Sequence, residues 1–389
     1  MKFKILLILA VFTTALHLPS FFYSHREGDE LVYMGLARSM SWLGENYSTA
    51  DIPIVNEFPA RLYRAEYFIH PPLYPYLLKI FAACGNMETL GLVFNLVLHV
   101  GTAYLVLITL TSLGVSLATA CLMSIVTVLC PILTATTIKL HIDALSGFLM
   151  LLSFYLTTWA NGSGRNSHKK WPWLIAGLSW GLALNTKLTA FAAIPALILN
   201  LIMVGSKGRW LTLAVAMTFV SPHVYSLLSH YHTLYPADLL TRDRPIGNYL
   251  MRIISRTRAN SLLNLIALVP LMSIMLSSWF WRRLYQLSKQ DRVCLALISL
   301  FLSLFLSVFL LHHATEGYYA IALPCFYVLT GVLIDNRMRR SPSSVLLIFA
   351  IPVLLMGFSS FWKGVIQPQA DLSVPSLILI VPPISRYYR

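Results

Sequence analysis

Apolar segments long enough to cross a bilayer recur along almost the whole of this 389-residue chain, with short polar loops between them. That pattern constrains the fold more than any single motif does. Inside about 30 Å of hydrocarbon a backbone has no water to bond with, so a run of this length closes its own hydrogen bonds as a helix. Composition agrees, since 11% of residues are charged and 57% hydrophobic, where a soluble globule carries about 25% charged. The expected fold class is therefore an all-α polytopic membrane protein. The net charge of +14 is dispersed over separate loops and reads as membrane topology, so no nucleic-acid partner is expected. Five scattered cysteines form neither a disulfide framework nor a zinc pattern.

About eleven transmembrane helices are expected. The first begins near residue 5, behind Lys2 and Lys4, and lacks a small-x-small cleavage pattern, so it is read as an uncleaved span. The others are 87–110, 115–134, 142–160, 173–186, 188–204, 211–229, 260–281, 293–311, 318–334 and 344–361. The pair 173–186 and 188–204 is short on both sides and also reads as one bent or re-entrant element. With the N-terminus inside, the inner segments carry fourteen Lys and Arg against Asp291 and Asp335, and the outer ones the other fifteen. Orientation is therefore read from the short loops, where every inner loop of more than about six residues is basic, as the positive-inside rule expects. Residues 1–361 then form one transmembrane domain with an outer loop at 24–86 and a second at 230–259, and 362–389 form a short tail. Within the first loop, 31–43 has near-helical apolar spacing but is too short to span, so it is expected as an interfacial helix. A second short helix, 73–83, is expected to open after Pro71 and Pro72.

The first loop holds seven of the fifteen acids, among them Asp29 and Glu30. Asp29 suits a helix N-cap, and Glu30 suits the dipole of a first turn. The same position, at a membrane surface above a cavity, suits a general base that takes a proton from an acceptor hydroxyl. Asp143 stands at the start of a span beside Lys139 and His141, where an ionisable group is either salt-bridged or functional. His70 is held extended by the following proline and can donate to a phosphate or serve structure. Lys187 lies between two apolar segments, where it snorkels or pairs with an anion. Arg242, Arg244, Arg252 and Arg256 crowd the second outer loop, against the topological bias. They suit anionic headgroups or a clamp on a substrate phosphate. His230, His232, His312, His313 and Glu316 share the outer side without a strong metal-ligand spacing. No metal site is assigned. Two acids permit a divalent cation without requiring one.

Four stretches together resemble the C-type membrane glycosyltransferases: GDELVYMGLARSM, YFIHPPLYPYLL, KLHIDALSGFLMLLSFYL and AGLSWGLALNTKLTAFAAIPAL. EGYYAIALPCFYVLTGVLI adds a late Tyr- and Pro-bearing span. The branch they resemble is the bacterial one similar to protein O-mannosyltransferases and to the lipid A aminoarabinose and galacturonosyl transferases, over roughly residues 1–335. The resemblance implies a polyprenyl-phosphate-linked sugar donor, a phosphate held at the outer membrane face, and inverting transfer to a lipid, glycan or protein acceptor in the cell envelope. It implies Asp29 as catalytic aspartate with Glu30 beside it, Asp143 as second acid, and His70 where some members carry a phosphate-contacting lysine. Lys187 and the arginines complete the expected donor-phosphate set, with membrane lipids as the other partner. A lipid-linked sugar transporter is the competing class. Ionisable groups at an outer edge and the absence of a visible repeat weigh against it. A non-catalytic assembly partner is the third class.

Overall fold

The computed structural model describes residues 2–22, 29–42, 46–49, 70–162, 170–204, 208–232, 292–310 and 316–361, with isolated positions 282 and 285. The regular elements among those residues are all helices, without a strand. In chain order the helices are α1 (Lys2–His17), α2 (Asp29–Ser39), α3 (Leu73–Ala83), α4 (Met87–Ser112), α5 (Leu117–Val128), α6 (Pro131–Thr137) and α7 (Asp143–Gly162). They continue as α8 (Trp171–Leu184), α9 (Ile194–Val204), α10 (Gly208–Tyr231), α11 (Arg292–Leu310), α12 (Leu323–Arg340) and α13 (Pro342–Phe361). Three 3₁₀ turns, Leu18–Phe22, Leu188–Ala193 and Glu316–Ile321, join them.

The fold is that of an integral membrane protein. Among the described residues three helices are long and apolar enough to span: Phe3–Phe22, Met87–Ser112 and Gly208–Tyr231. The bent pair α5 and α6 makes a fourth if it is one span. Spans were expected at 115–134 and 188–204, and each contains a break. The first breaks after Val128 and bends by 52°, because Pro131 cannot donate to the preceding turn and instead opens a new helix at its N1 position. The second starts as the 3₁₀ turn Leu188–Ala193 before α9. The span expected at 318–334 likewise opens with a 3₁₀ turn. The span at 260–281 lies outside the described residues.

Helix α4 is the post of the bundle, packing on α1, α3, α5, α7 and α12. Its hydroxyls are satisfied without water. Thr102 and Thr109 donate to the carbonyls of Leu98 and Leu105, each four residues back at 2.7 Å, and Thr127 and Ser124 do the same on α5. Such back-bonding lets a small polar residue sit in a dry interior. Elsewhere small residues set the spacing. A Cβ on Gly147 of α7 would stand 2.8 Å from the Ala320 carbonyl oxygen, so glycine allows the turn Glu316–Ile321 to lie directly on α7. Side chains such as Phe3, Leu7, Val11 and Phe12 on α1 and Trp210 and Met217 on α10 remain exposed. In a bilayer such outward apolar faces meet lipid.

The expected interfacial helix is present as α2, but protein covers most of it. Val32, Tyr33, Met34, Leu36, Ala37 and Met40 are all buried, and α2 packs on α3. Lys79 of α3 caps it, donating to the carbonyl of Met40 at 2.6 Å while lying over the Trp42 ring. That puts a cation at the negative end of the helix dipole.

At the far end of α4 the turn into α5 is tied to α12 by Asp335, one residue beyond the expected span. Its Oδ1 accepts from the Ser116 backbone N–H at 2.9 Å and from the Ser116 and Thr119 hydroxyls. Its Oδ2 accepts from Arg339 Nε at 2.7 Å, and Arg339 also reaches the Gly114 carbonyl. Burial opposes ionisation here, but these donors outweigh it and hold the carboxyl below its usual range. A depressed carboxyl contributes stability above the unfolded value, near pH 4, and loses it as pH falls through the folded value. Asp335→Asn is therefore expected to cost about 2 kcal/mol at neutral pH. In detergent melting experiments the wild-type advantage over the variant should shrink as pH falls below about 4.

Candidate active site

The segment from Thr137 to Asp143 turns sharply between α6 and α7, and side chains of three helices hold it. Asn95 of α4 donates its amide to the Lys139 carbonyl, while the Tyr74 hydroxyl of α3 lies 3.2 Å from the same amide. Glu30 of α2 is 3% exposed, and its Oε1 accepts from the Leu140 backbone N–H at 2.8 Å. The segment also closes on itself, His141 N–H donating to the Lys139 carbonyl at 2.9 Å.

This turn presents Asp143 at the start of α7 with no exposed surface. Lys187, 2% exposed, ion-pairs with Asp143 Oδ1. His141 Nδ1 lies 2.5 Å from the other oxygen, Oδ2. Lys187 reaches it because α8 ends at Leu184 and the chain crosses in extended form (φ −150°, ψ 136°) before the 3₁₀ turn begins. The Asn185 side chain anchors that crossing to the Phe219 carbonyl of α10. The Asn185 carbonyl accepts from the Leu73 N–H at 3.1 Å. This bond brings Pro71, Pro72 and the half-buried His70 to the Lys187 side of the cluster. The His70 carbonyl accepts from the Tyr47 hydroxyl at 2.9 Å.

The fold thus assembles Glu30, Asp143, Lys187 and the His70 turn from four stretches separated in the chain. Asp29 opens α2, next to Glu30; its side chain is not among the described groups. Arg242, Arg244, Arg252, Arg256, His312 and His313 lie outside the described residues. His230 sits exposed at the end of α10, with Nδ1 2.9 Å from the Ser226 carbonyl. Among the described residues no three His, Cys, Asp or Glu side chains come together as metal ligands. At Asp143 the Lys187 ammonium already holds the place a divalent cation would take, so the described residues do not fit one.

Three participants escaped the sequence reading. Asn95 and His99 stand four apart in FNLVLHVG, polar positions on one face of an otherwise apolar span, and that spacing is itself a signal. His223 follows Pro222 inside α10, is 2% exposed, and lies close enough to His70 for their charges to interact.

Residues 69–225 match the family model described as dolichyl-phosphate-mannose-protein mannosyltransferase. A sequence search of curated proteins finds no match. Among solved structures the chain is similar to ArnT from Cupriavidus metallidurans bound to undecaprenyl phosphate, at 14% identity and a TM-score of 0.61, over 89% of this chain and 62% of ArnT. It is also similar to the Archaeoglobus fulgidus oligosaccharyltransferase in complex with Zn and sulfate, at 14% identity and a TM-score of 0.56, over 92% of this chain and 53% of that one. The archaeal oligosaccharyltransferase AglB from the same organism, in complex with an inhibitory peptide and a dolichol-phosphate, is similar at 13% identity and a TM-score of 0.55, over 95% of this chain and 55% of that one. The chain therefore spans less than two thirds of the length of these structures.

The Asp143–Lys187 pair makes a stability prediction. Lys187→Met leaves a buried carboxylate without its cation and is expected to cost about 3–5 kcal/mol. The double variant Asp143→Asn with Lys187→Met removes both charges and should recover a large part of that loss. Melting of the two variants side by side in detergent checks it.

Proposed function

We propose that this chain is a C-type membrane glycosyltransferase that transfers a sugar from a polyprenyl-phosphate-linked donor to an acceptor hydroxyl at the outer face of its membrane; the family-model match and the fold likeness to ArnT support that reading. The observation that carries the reading is the Glu30 bond to the Leu140 N–H. It docks the start of α2, where Asp29 stands, onto the turn that presents Asp143. That bond ties Glu30 of the first loop to the turn that carries Asp143 and its partner Lys187. The undecaprenyl phosphate in ArnT and the dolichol-phosphate in AglB support a lipid-phosphate donor.

In this reading the acceptor oxygen attacks the anomeric carbon from the face opposite the phosphate, and its proton passes to the Asp29 carboxylate. The anomeric carbon–oxygen bond breaks, the pair of electrons leaves with the lipid phosphate, and configuration inverts. A phosphate is an acidic leaving group, so it needs positive charge more than a proton donor. Arg242, Arg244, Arg252 and Arg256 are assigned that role, with His70 and the Lys187 ammonium contributing from the cluster. Asp143 fixes Lys187, so its part is to position a cation. Glu30 holds the turn, and its part is likewise positional.

Reconstituted protein given an undecaprenyl-phosphate-linked pentose or hexose should release undecaprenyl phosphate only when an acceptor is present. Asp29→Asn is expected to lower transfer about 10²–10⁴-fold at unchanged abundance, with Asp335→Asn as a remote control that retains it. Retained transfer in Asp29→Asn overturns the base assignment. Movement of the intact donor across vesicles without release of lipid phosphate would identify a transporter instead.

A further inference from the structure

Below the candidate site, a second polar cluster lies in the dry interior where α1, α4 and α6 meet. His17 and Thr137 have no exposed surface and His99 is 1% exposed. His17 Nε2 is 3.1 Å from His99 Nδ1, and Thr137 Oγ1 is 3.0 Å from His17 Nε2. His99 Nε2 is 3.2 Å from the Thr127 carbonyl oxygen.

The donor and acceptor inventory assigns each proton. A carbonyl can only accept, so His99 Nε2 carries a proton and donates to Thr127. The neutral His99 ring then offers Nδ1 as an acceptor, which requires His17 Nε2 to donate. The Thr137 hydroxyl spends its own proton on the Leu133 carbonyl at 2.6 Å, so its oxygen accepts from His17 as well. The result is one directed chain, from His17 through His99 to the break between α5 and α6, with Thr137 held at its side.

Asn95 lies one helical turn before His99 on the same face of α4. Thus α4 ties to the 137–143 turn twice: at Thr137 through the His17 ring that His99 accepts from, and at Lys139 through Asn95. Between those ties and Asp143 stands the Leu140 N–H that Glu30 accepts from. We propose that His99 is a positioning residue for the candidate site: it fixes Thr137, and so sets where Leu140, His141 and Asp143 stand against Glu30 and Lys187. The catalytic meaning of that placement rests on the transferase reading, but the placement itself is measurable without substrate.

The test is hydrogen exchange of the whole protein in nanodiscs, read by mass spectrometry on a peptide covering 138–142. His99→Leu removes both ring nitrogens, and Thr137→Val removes the gripped hydroxyl at nearly constant shape. Each should speed exchange at the Leu140 amide about tenfold while α7 and α12 keep their protection. His99→Gln can donate to Thr127 and accept from His17, and should return exchange close to wild type. Thr109→Val deletes a hydroxyl equally buried on α4 but bonded only within its own helix, and should leave Leu140 unchanged. If His99→Leu fails to fold, Thr137→Val decides alone. Unchanged exchange at Leu140 in Thr137→Val overturns the proposal. So does a rise spread equally over α4, α7 and α12, which would mark a purely structural role. Neither result depends on transfer, so the loss or survival of activity in Asp29→Asn tests the functional reading separately.

Discussion

A carboxylate taken out of water must meet a cation or lose its charge, and much of the structure around the candidate site follows from how Asp143 meets that condition. Its partner is Lys187, 44 positions away in the chain. The desolvation of both groups is offset only when geometry is close and the remaining polar atoms are engaged. The close ion pair supplies the first of these. His141 stands at the second carboxylate oxygen, and Asn185 pins the strand-like crossing that delivers the lysine. The pair therefore sets the register between α7 and the break that follows α8.

The same physics operates along α4 and past its end. In its first half, Asn95 bonds a neighbouring backbone segment, and His99 bonds the Thr127 carbonyl and the His17 ring. Past its end, Asp335 gathers the N–H and hydroxyl groups of the turn into α5. Between them, threonines bond only to their own helix and place no demand on partners. Polar groups that meet other segments are thus directional ties, and the threonines bonded only to their own helix are inert packing. Where water is scarce, each tie must be complete within the protein.

Glu30 shows how the first loop joins this framework. It looks like a first-turn acid that merely suits a helix dipole. In the fold it is buried and accepts from a backbone N–H of the turn that carries Asp143. With Lys79 capping the other end of α2, the helix is locked onto the bundle at both ends. Its buried face, from Val32 to Met40, seals one side of the candidate site. An apolar helix of this length on a membrane surface could slide, and these two polar anchors remove that freedom.

Local physics was legible in the residue order. Apolar run length gave the helices their places, since a backbone in hydrocarbon closes its own bonds. Proline marked the opening of α3, and the acids of the first loop and the span-start Asp143 stood out as charges in an apolar context. Pro131 also held a break within it, which was passed over because the flanking run stays hydrophobic on both sides. Pairings were another matter. Nothing in the order of residues says that Lys187 belongs to Asp143 and not to a free anion, that Glu30 reaches Leu140, or that Asn95 and His99 grip one turn. Charge and hydrogen-bonding capacity are properties of a side chain, readable one residue at a time. Which donor meets which acceptor depends on how helices cross, and that is decided by the packing of Gly147, Asn185 and their neighbours across segments distant in the chain.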